Sequence, residues 1–320
     1  MGKLFELKGH ISMLYTKYSR YIDRVLRFLL ALLTFTFINN NIGFSSVLGN
    51  PFMSIVLSLI CTFLPTAMTV VFAMFAVLLH VFTVSFGMAI VSAALFLVMY
   101  ALYLRYTPGK SLILLLVLIA YMFNMPVAVP IIFGLVGGPV CIVAISMGTL
   151  FYYMVDYVKS YATLIGTVAE TGMMEQITAY AQQVLLNGKM WAAIVSFGLV
   201  LLIVYYLRQL AVDHAWKIAI VAGALSNMIV MAFANVIMEV PVDYVALIVG
   251  SIFAVIFALI LEFFVFAVDY ARTEYLQFED DEYYYYVKAV PKMSVAVPEK
   301  TVKRIHERQE TETQKIIEED

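Results

Sequence analysis

Residues 51–104 read PFMSIVLSLICTFLPTAMTVVFAMFAVLLHVFTVSFGMAIVSAALFLVMYALYL, without a polar break long enough to be an ordinary loop. As a single helix this run would extend ~80 Å, against ~30 Å for the hydrocarbon core of a bilayer. It must fold back on itself inside lipid. The fold class expected is therefore all-α: a polytopic transmembrane helical bundle with broken spans.

The rest of the 320 residues agrees, with 63% hydrophobic, 13% charged and a mean hydropathy of +0.92. Soluble domains average about 25% charged residues, so this chain lacks the charge to cover a globule in water. Its net charge of −2 argues against nucleic acid as a partner. Charges gather in residues 1–27 and 269–320 and in a few short connections. Cys61 and Cys141 stand in apolar runs far apart in sequence, as small packing residues do. No apolar core precedes a small-residue cleavage site in the first 24 residues, so an uncleaved first span is expected to direct insertion.

Three regions follow: a basic amphipathic helix over 1–24, a transmembrane domain over 25–268 and a cytoplasmic tail over 269–320. In the first, Ile11, Leu14, Tyr15, Tyr18, Ile22 and Val25 gather on one helical side, and Lys17, Arg20, Arg24 and Arg27 on the other. Such a helix can sink its apolar face into the headgroup boundary while its cations meet anionic lipid. These cations, with Lys3 and Lys8, precede the first span and so place the N-terminus in the cytoplasm.

Spans are expected at 25–42, 52–77 and 82–104, with a turn around residues 79–85. The block 111–158 is interrupted twice, at Met125-Pro126 through Pro130 and at Gly137-Gly138-Pro139. Further spans are expected at 191–207, 218–238 and 244–268. The total is eight; six crossings plus re-entrant segments is the alternative. Eight crossings leave Arg105 and Lys110 outside, against the preference for cytoplasmic cations. The two interrupted blocks, each with a proline (Pro65 or Pro139), match the pattern of inverted-repeat transporters, whose broken helices form the binding site; the alternative is kinked helices with no functional break. Between the spans, Met173, Met174, Ile177, Ala181, Val184 and Leu185 share one face of a short interfacial helix.

Glu262 is the leading polar candidate. A carboxylate at membrane depth costs ~2.5 kcal/mol or more and normally faces a partner or a wet cavity. Ala246, Gly250, Ala254 and Ala258 lead to it every four residues, a small-residue face that would turn it into the bundle. Its other reading is an interfacial carboxylate paired with Arg272. Asn227, on the seam Ala219, Gly223, Asn227, is the second candidate, for solute contact or helix–helix hydrogen bonding. Pro65, Pro139, Gly137 and Gly138 would shape a site between them. His80 reads as a bundle hydrogen-bonder or a proton relay. No catalytic or nucleotide-binding motif and no metal-ligand spacing is present, so neither enzymatic activity nor a cofactor is expected.

In the tail, Phe278-Glu279-Asp280-Asp281-Glu282 runs into Tyr283, Tyr284, Tyr285 and Tyr286, a density that favours a strand, with another at 293–297. Residues 278–305 would offer tyrosine anchors to a cytoplasmic protein partner or to a second copy in a homo-oligomer. With Pro298-Glu299-Lys300-Thr301-Val302-Lys303-Arg304, this tail resembles that of bacterial polytopic membrane proteins labelled permease-like or ABC-transporter permease. The resemblance implies an inner-membrane partner of a separate cytoplasmic ATPase. The coupling-loop pattern of import permeases is missing, the nearest text being Glu170-Thr171-Gly172. The two functions expected are solute transport through the bundle and scaffolding through the tail.

Overall fold

The computed structural model describes residues 2–45, 48–168, 172–210, 212, 214–266, 274–279 and 284–289. Its chain divides into two compact units, residues 14–266 and a smaller one that takes in the first residues and the tail. The fold is helical, as expected. Helix α1 covers Gly2–Asn41, with a kink at Tyr18 (φ −121°). It is followed by α2 (Pro51–Thr62), α3 (Thr66–Val84), α4 (Phe86–Met99, continued by a π turn over Tyr100–Leu104), α5 (Ser111–Met122) and α6 (Ala128–Val136). The bundle is completed by α7 (Cys141–Val168), α8 (Met173–Leu185), α9 (Gly188–Leu207), α10 (Ala215–Met238) and α11 (Tyr244–Leu261, then a π turn over Glu262–Phe266).

Among the described residues, six helices are long and apolar enough to cross a membrane: α3, α4, α7, α9, α10 and α11. This is a multi-pass membrane protein. The eight full spans of the sequence reading are corrected in detail. The expected span 52–77 breaks at residues 63–65, because Pro65 has no N–H for the preceding turn and instead opens α3. The expected turn over 79–85 shrinks to Ser85, whose hydroxyl caps α4 by accepting from the Met88 N–H. Helices α2 and α6, at ~18 and ~14 Å, are too short to cross a bilayer alone.

Contacts fix the helix directions. Lys110 Nζ reaches Cys141 Sγ at 3.6 Å, and Tyr121 stacks on Tyr152 at 3.8 Å between ring centroids. Between these levels, a Cβ on Gly148 would stand 2.8 Å from Val117. Helices α5 and α7 therefore run side by side in the same direction, and the chain between them has to return. It does so through α6, which lies along α9: a Cβ on Gly134 would stand 2.8 Å from Val204, and Arg208 donates to the carbonyls of Leu135 and Gly137. Helices α5 and α6 thus form a re-entrant hairpin that goes in and comes back. Of α5, Ile113, Leu114, Leu115, Val117 and Leu118 are all buried, so protein covers most of its circumference and leaves only the stripe of Leu112, Leu116 and Ile119 partly open. Broken backbone is tolerated at membrane depth only under such cover.

Helices α1 and α2 make a second out-and-back pair. Phe37 stacks on Tyr152 at 6.0 Å and Lys159 donates to Asn41 Oδ1 at 3.2 Å, so α1 rises beside α7. Asn39 Nδ2 donates to Ser54 Oγ at 2.8 Å near the start of α2, and Cys61, near its end, lies against Thr69 at the start of α3. At the end where α3 and α5 begin, the Thr66 and Ser111 hydroxyls lie 2.8 Å apart, and the Tyr103 hydroxyl at the end of α4 donates to Lys110 O. Both short pairs return to the end they left. Arg27, Arg105, Lys110, Arg208 and Lys217 accordingly share one end of the bundle, hereafter the basic end. Asp156, Lys159, Glu175, Lys189, Glu239 and Asp243 lie toward the other. The conflict over Arg105 and Lys110 disappears. Pro65 and Pro139 both turn the chain at the basic end and the helices after them run the same way, which corrects the inverted-repeat expectation.

Two smaller expectations change. Helix α8 is present, but Tyr180 and Val184 are its buried residues, while Met173, Met174 and Leu185 are exposed. Tyr180 wins that position because its hydroxyl meets Ser92 Oγ at 3.0 Å while its ring packs against Tyr157. In the tail, β2 (Tyr284–Ala289) forms as expected, paired antiparallel with β1 (Glu274–Glu279). The second strand expected, at 293–297, lies outside the described residues. So do Tyr283 and Arg272.

Candidate functional site

A cavity of about 340 Å³ opens toward the end opposite the basic one, where five helices and two connections meet. Its floor is the tip of the α5–α6 hairpin. There Asn124 takes a left-handed conformation (φ 56°), which Asn tolerates better than other residues with a Cβ, and Pro126 starts the return. Gly250 of α11 sits on this tip. A Cβ at that position would collide with the carbonyl oxygen of Asn124, so only glycine lets α11 close the wall.

Helix α7 supplies the next wall. Tyr152 and Tyr153 stand edge to face, centroids 5.3 Å apart, and Tyr121 of α5 stacks on Tyr152 with the planes 7° from parallel. Asp156 follows three and four residues later, one turn further along the same face, and also lines the cavity. Its carboxylate makes no hydrogen bond or ion pair among the described residues. Lys189, in the first turn of α9, lines the cavity as well and pairs with neither Asp156 nor Asp243. The Asp243 carboxylate is occupied differently: it caps α11, accepting from the N–H groups of Val245 (3.0 Å) and Ala246 (3.1 Å). Ser251, 1% exposed, has an Oγ with no hydrogen-bond partner. A buried unpaired hydroxyl costs about 1–3 kcal/mol, which a bound polar group or water would recover.

Among the sequence candidates, Asn227 lies in this cavity. It is buried, and its Oδ1 accepts from Ser196 Oγ at 2.8 Å, the α9–α10 hydrogen bond expected of that seam. The other candidates are elsewhere. Glu262 is half-buried on the π turn, ~18 Å along α11 from Gly250 and toward the basic end. Gly250, Ala254 and Ala258 above it are buried as expected, but Ala246 is exposed. Pro65 is exposed between α2 and α3, and Pro139 is exposed beside half-buried Gly137 and Gly138, all at the basic end. There the Gly137 carbonyl accepts from Arg208 at 2.9 Å. Tyr285 and Tyr286 are exposed on β2, where Tyr284 also lies.

His80 is resolved as a bonded core residue. Its Nδ1 accepts from the Ser45 N–H at 3.1 Å, which puts the ring proton on Nε2, facing Asn39 Oδ1 at 3.0 Å. Among the described residues no group of three His, Cys, Asp or Glu side chains could hold a metal ion.

The sequence reading missed Asp156, Lys189, Ser251 and the three tyrosines. A signal was present: Asp156 is the one acid in the 111–158 block, three residues after the pair Tyr152-Tyr153. Comparison of the chain with protein-family models, with curated proteins and with solved structures finds no match.

Proposed function

We propose that this protein is a solute carrier of the cell membrane, binding a small polar molecule in the Asp156 cavity and passing it through the bundle. The observation that carries this reading is that an unpaired carboxylate and an unpartnered buried serine line one cavity of small-molecule size. The re-entrant hairpin at its floor supports it, since broken helices at depth accompany solute sites in transporters. Binding and passage, not catalysis, suit the residues, because the cavity's second carboxylate, Asp243, is already committed to a helix cap. By the positive-inside preference the basic end faces the cytoplasm, as do the N-terminal cations and the tail. A separate cytoplasmic ATPase would supply the energy for such a carrier.

A second reading is a membrane scaffold recruiting protein through residues 278–305. Exposed Tyr286 and Tyr285 on the tail hairpin favour it. The two readings separate in proteoliposomes. Solutes that raise the melting temperature of the purified full chain should accumulate in vesicles, Asp156→Asn should abolish uptake, and deletion of 278–320 should leave it intact. A stabilising solute that is never taken up, or uptake indifferent to Asp156→Asn, contradicts the carrier reading.

A further inference from the structure

Besides Asp243, whose carboxylate is held by the α11 N-cap, the cavity carries two opposite charges that do not neutralise each other, and that arrangement restricts its ligand. Asp156 approaches from α7 and Lys189 from the first turn of α9, with no ion pair between them. A simple anion would meet the Asp156 carboxylate and a simple cation the Lys189 ammonium, each at an electrostatic cost in a partly enclosed site. A molecule with both charges at opposite ends satisfies both groups at once. Resting on the carrier reading above, we infer that the ligand is a small zwitterion of the amino-acid class, its ammonium toward Asp156 and its carboxylate toward Lys189.

The surroundings of each charge agree with this polarity. Beside Asp156 lie the rings of Tyr152 and Tyr153, and beyond them Tyr121, near the C-terminal end of α5. A helix C-terminus favours a cation. Lys189 stands at the N-terminus of α9, where the helix dipole favours an anion. Ser251, buried and unpartnered, supplies a further donor–acceptor in the lining. The apolar part of the lining, including Met231 and Leu247, leaves room for a side chain.

The test uses the full chain in lipid nanodiscs. Probes are the proteinogenic L-amino acids, each with its N-acetyl and C-amide derivatives, read by calorimetry. At least one free amino acid should bind. Its N-acetyl and amide forms should bind about tenfold more weakly or worse, since each leaves one charge of the cavity without its counter-charge. Asp156→Asn should erase the penalty for N-acetylation and Lys189→Gln the penalty for amidation, while both variants keep the wild-type elution profile. Equal binding of the amide or the N-acetyl form, or no binding by any free amino acid, overturns the assignment. A companion measurement separates this failure from failure of the carrier reading. Ser251→Cys, with Cys61 and Cys141 replaced by Ala, is exposed to the water-soluble reagent MTSES. Labelling without amino-acid binding leaves a solute cavity with a different ligand; no labelling removes both.

Discussion

Gly250 shows how one atom decides whether the cavity wall can close. Its missing Cβ leaves space for the Asn124 carbonyl at the hairpin tip, so Gly250→Leu must push α11 away from α5–α6. Overpacking of this kind costs about 1–3 kcal/mol and should lower the thermal midpoint of the detergent-purified protein. Gly109→Ala is the control: nothing lies within 4 Å of the added carbon, and the midpoint should not move. A second residue-scale test concerns His80. Asn39 joins the imidazole, Ser54 and the Leu48 carbonyl, so Asn39→Leu strands several buried polar groups. It should destabilise by about 1–3 kcal/mol in the same assay, whereas Asn40→Leu should cost less. That His80 is a bonded core residue was one of two readings open from the sequence. Its partner was not legible, because Asn39 stands 41 positions away and only the return of α2 and α3 brings them together.

Among elements, α6 is the one whose geometry depends most on a distant side chain. Its last carbonyls have no helical successor, and Arg208 at the end of α9 donates to two of them. Arg208→Ala should cost about 1.5–3 kcal/mol, read as a lower thermal midpoint, and Arg208→Lys should recover only part of it, because a point ammonium cannot span both carbonyls as a guanidinium does. A milder loss is expected at α4, where Ser85→Ala removes an N-cap worth ~1 kcal/mol and the bond to Gln176 of α8. The breaks themselves were legible: Pro65, Pro126 and Gly137 through Pro139 each end or begin a helix. What they do was not. A proline says where a helix stops, but whether the chain then crosses, turns back or runs on depends on which neighbour covers the freed backbone. For α6 that neighbour is Arg208, some seventy residues later. Glu262 ends a face whose Gly250, Ala254 and Ala258 are buried while Ala246 is exposed, and its depth relative to the cavity is not written in that spacing. Asp156 is not legible as a site residue because a single acid near the end of an apolar block has the same sequence signature as an interfacial one.

For the molecule as a whole, the distribution of charge and the direction of the helices agree once the two out-and-back pairs are recognised. Each pair leaves the parity of crossings unchanged, so α3, α4, α7, α9, α10 and α11 alternate and the arginines and lysines of the connecting segments collect at one end. Membrane embedding could be read from residues 51–104 alone; the number of crossings could not, because hydropathy does not distinguish a short hairpin from a span. The direct test is two-sided cysteine labelling in sealed vesicles, with Cys61 and Cys141 replaced by Ala. Single cysteines at Gly109, Val140 and Leu210 should react from the same side of the membrane, and those at Leu186 and Pro241 from the opposite side. Reaction of Gly109 and Val140 from opposite sides would mean that α5–α6 crosses the bilayer, and would contradict this architecture.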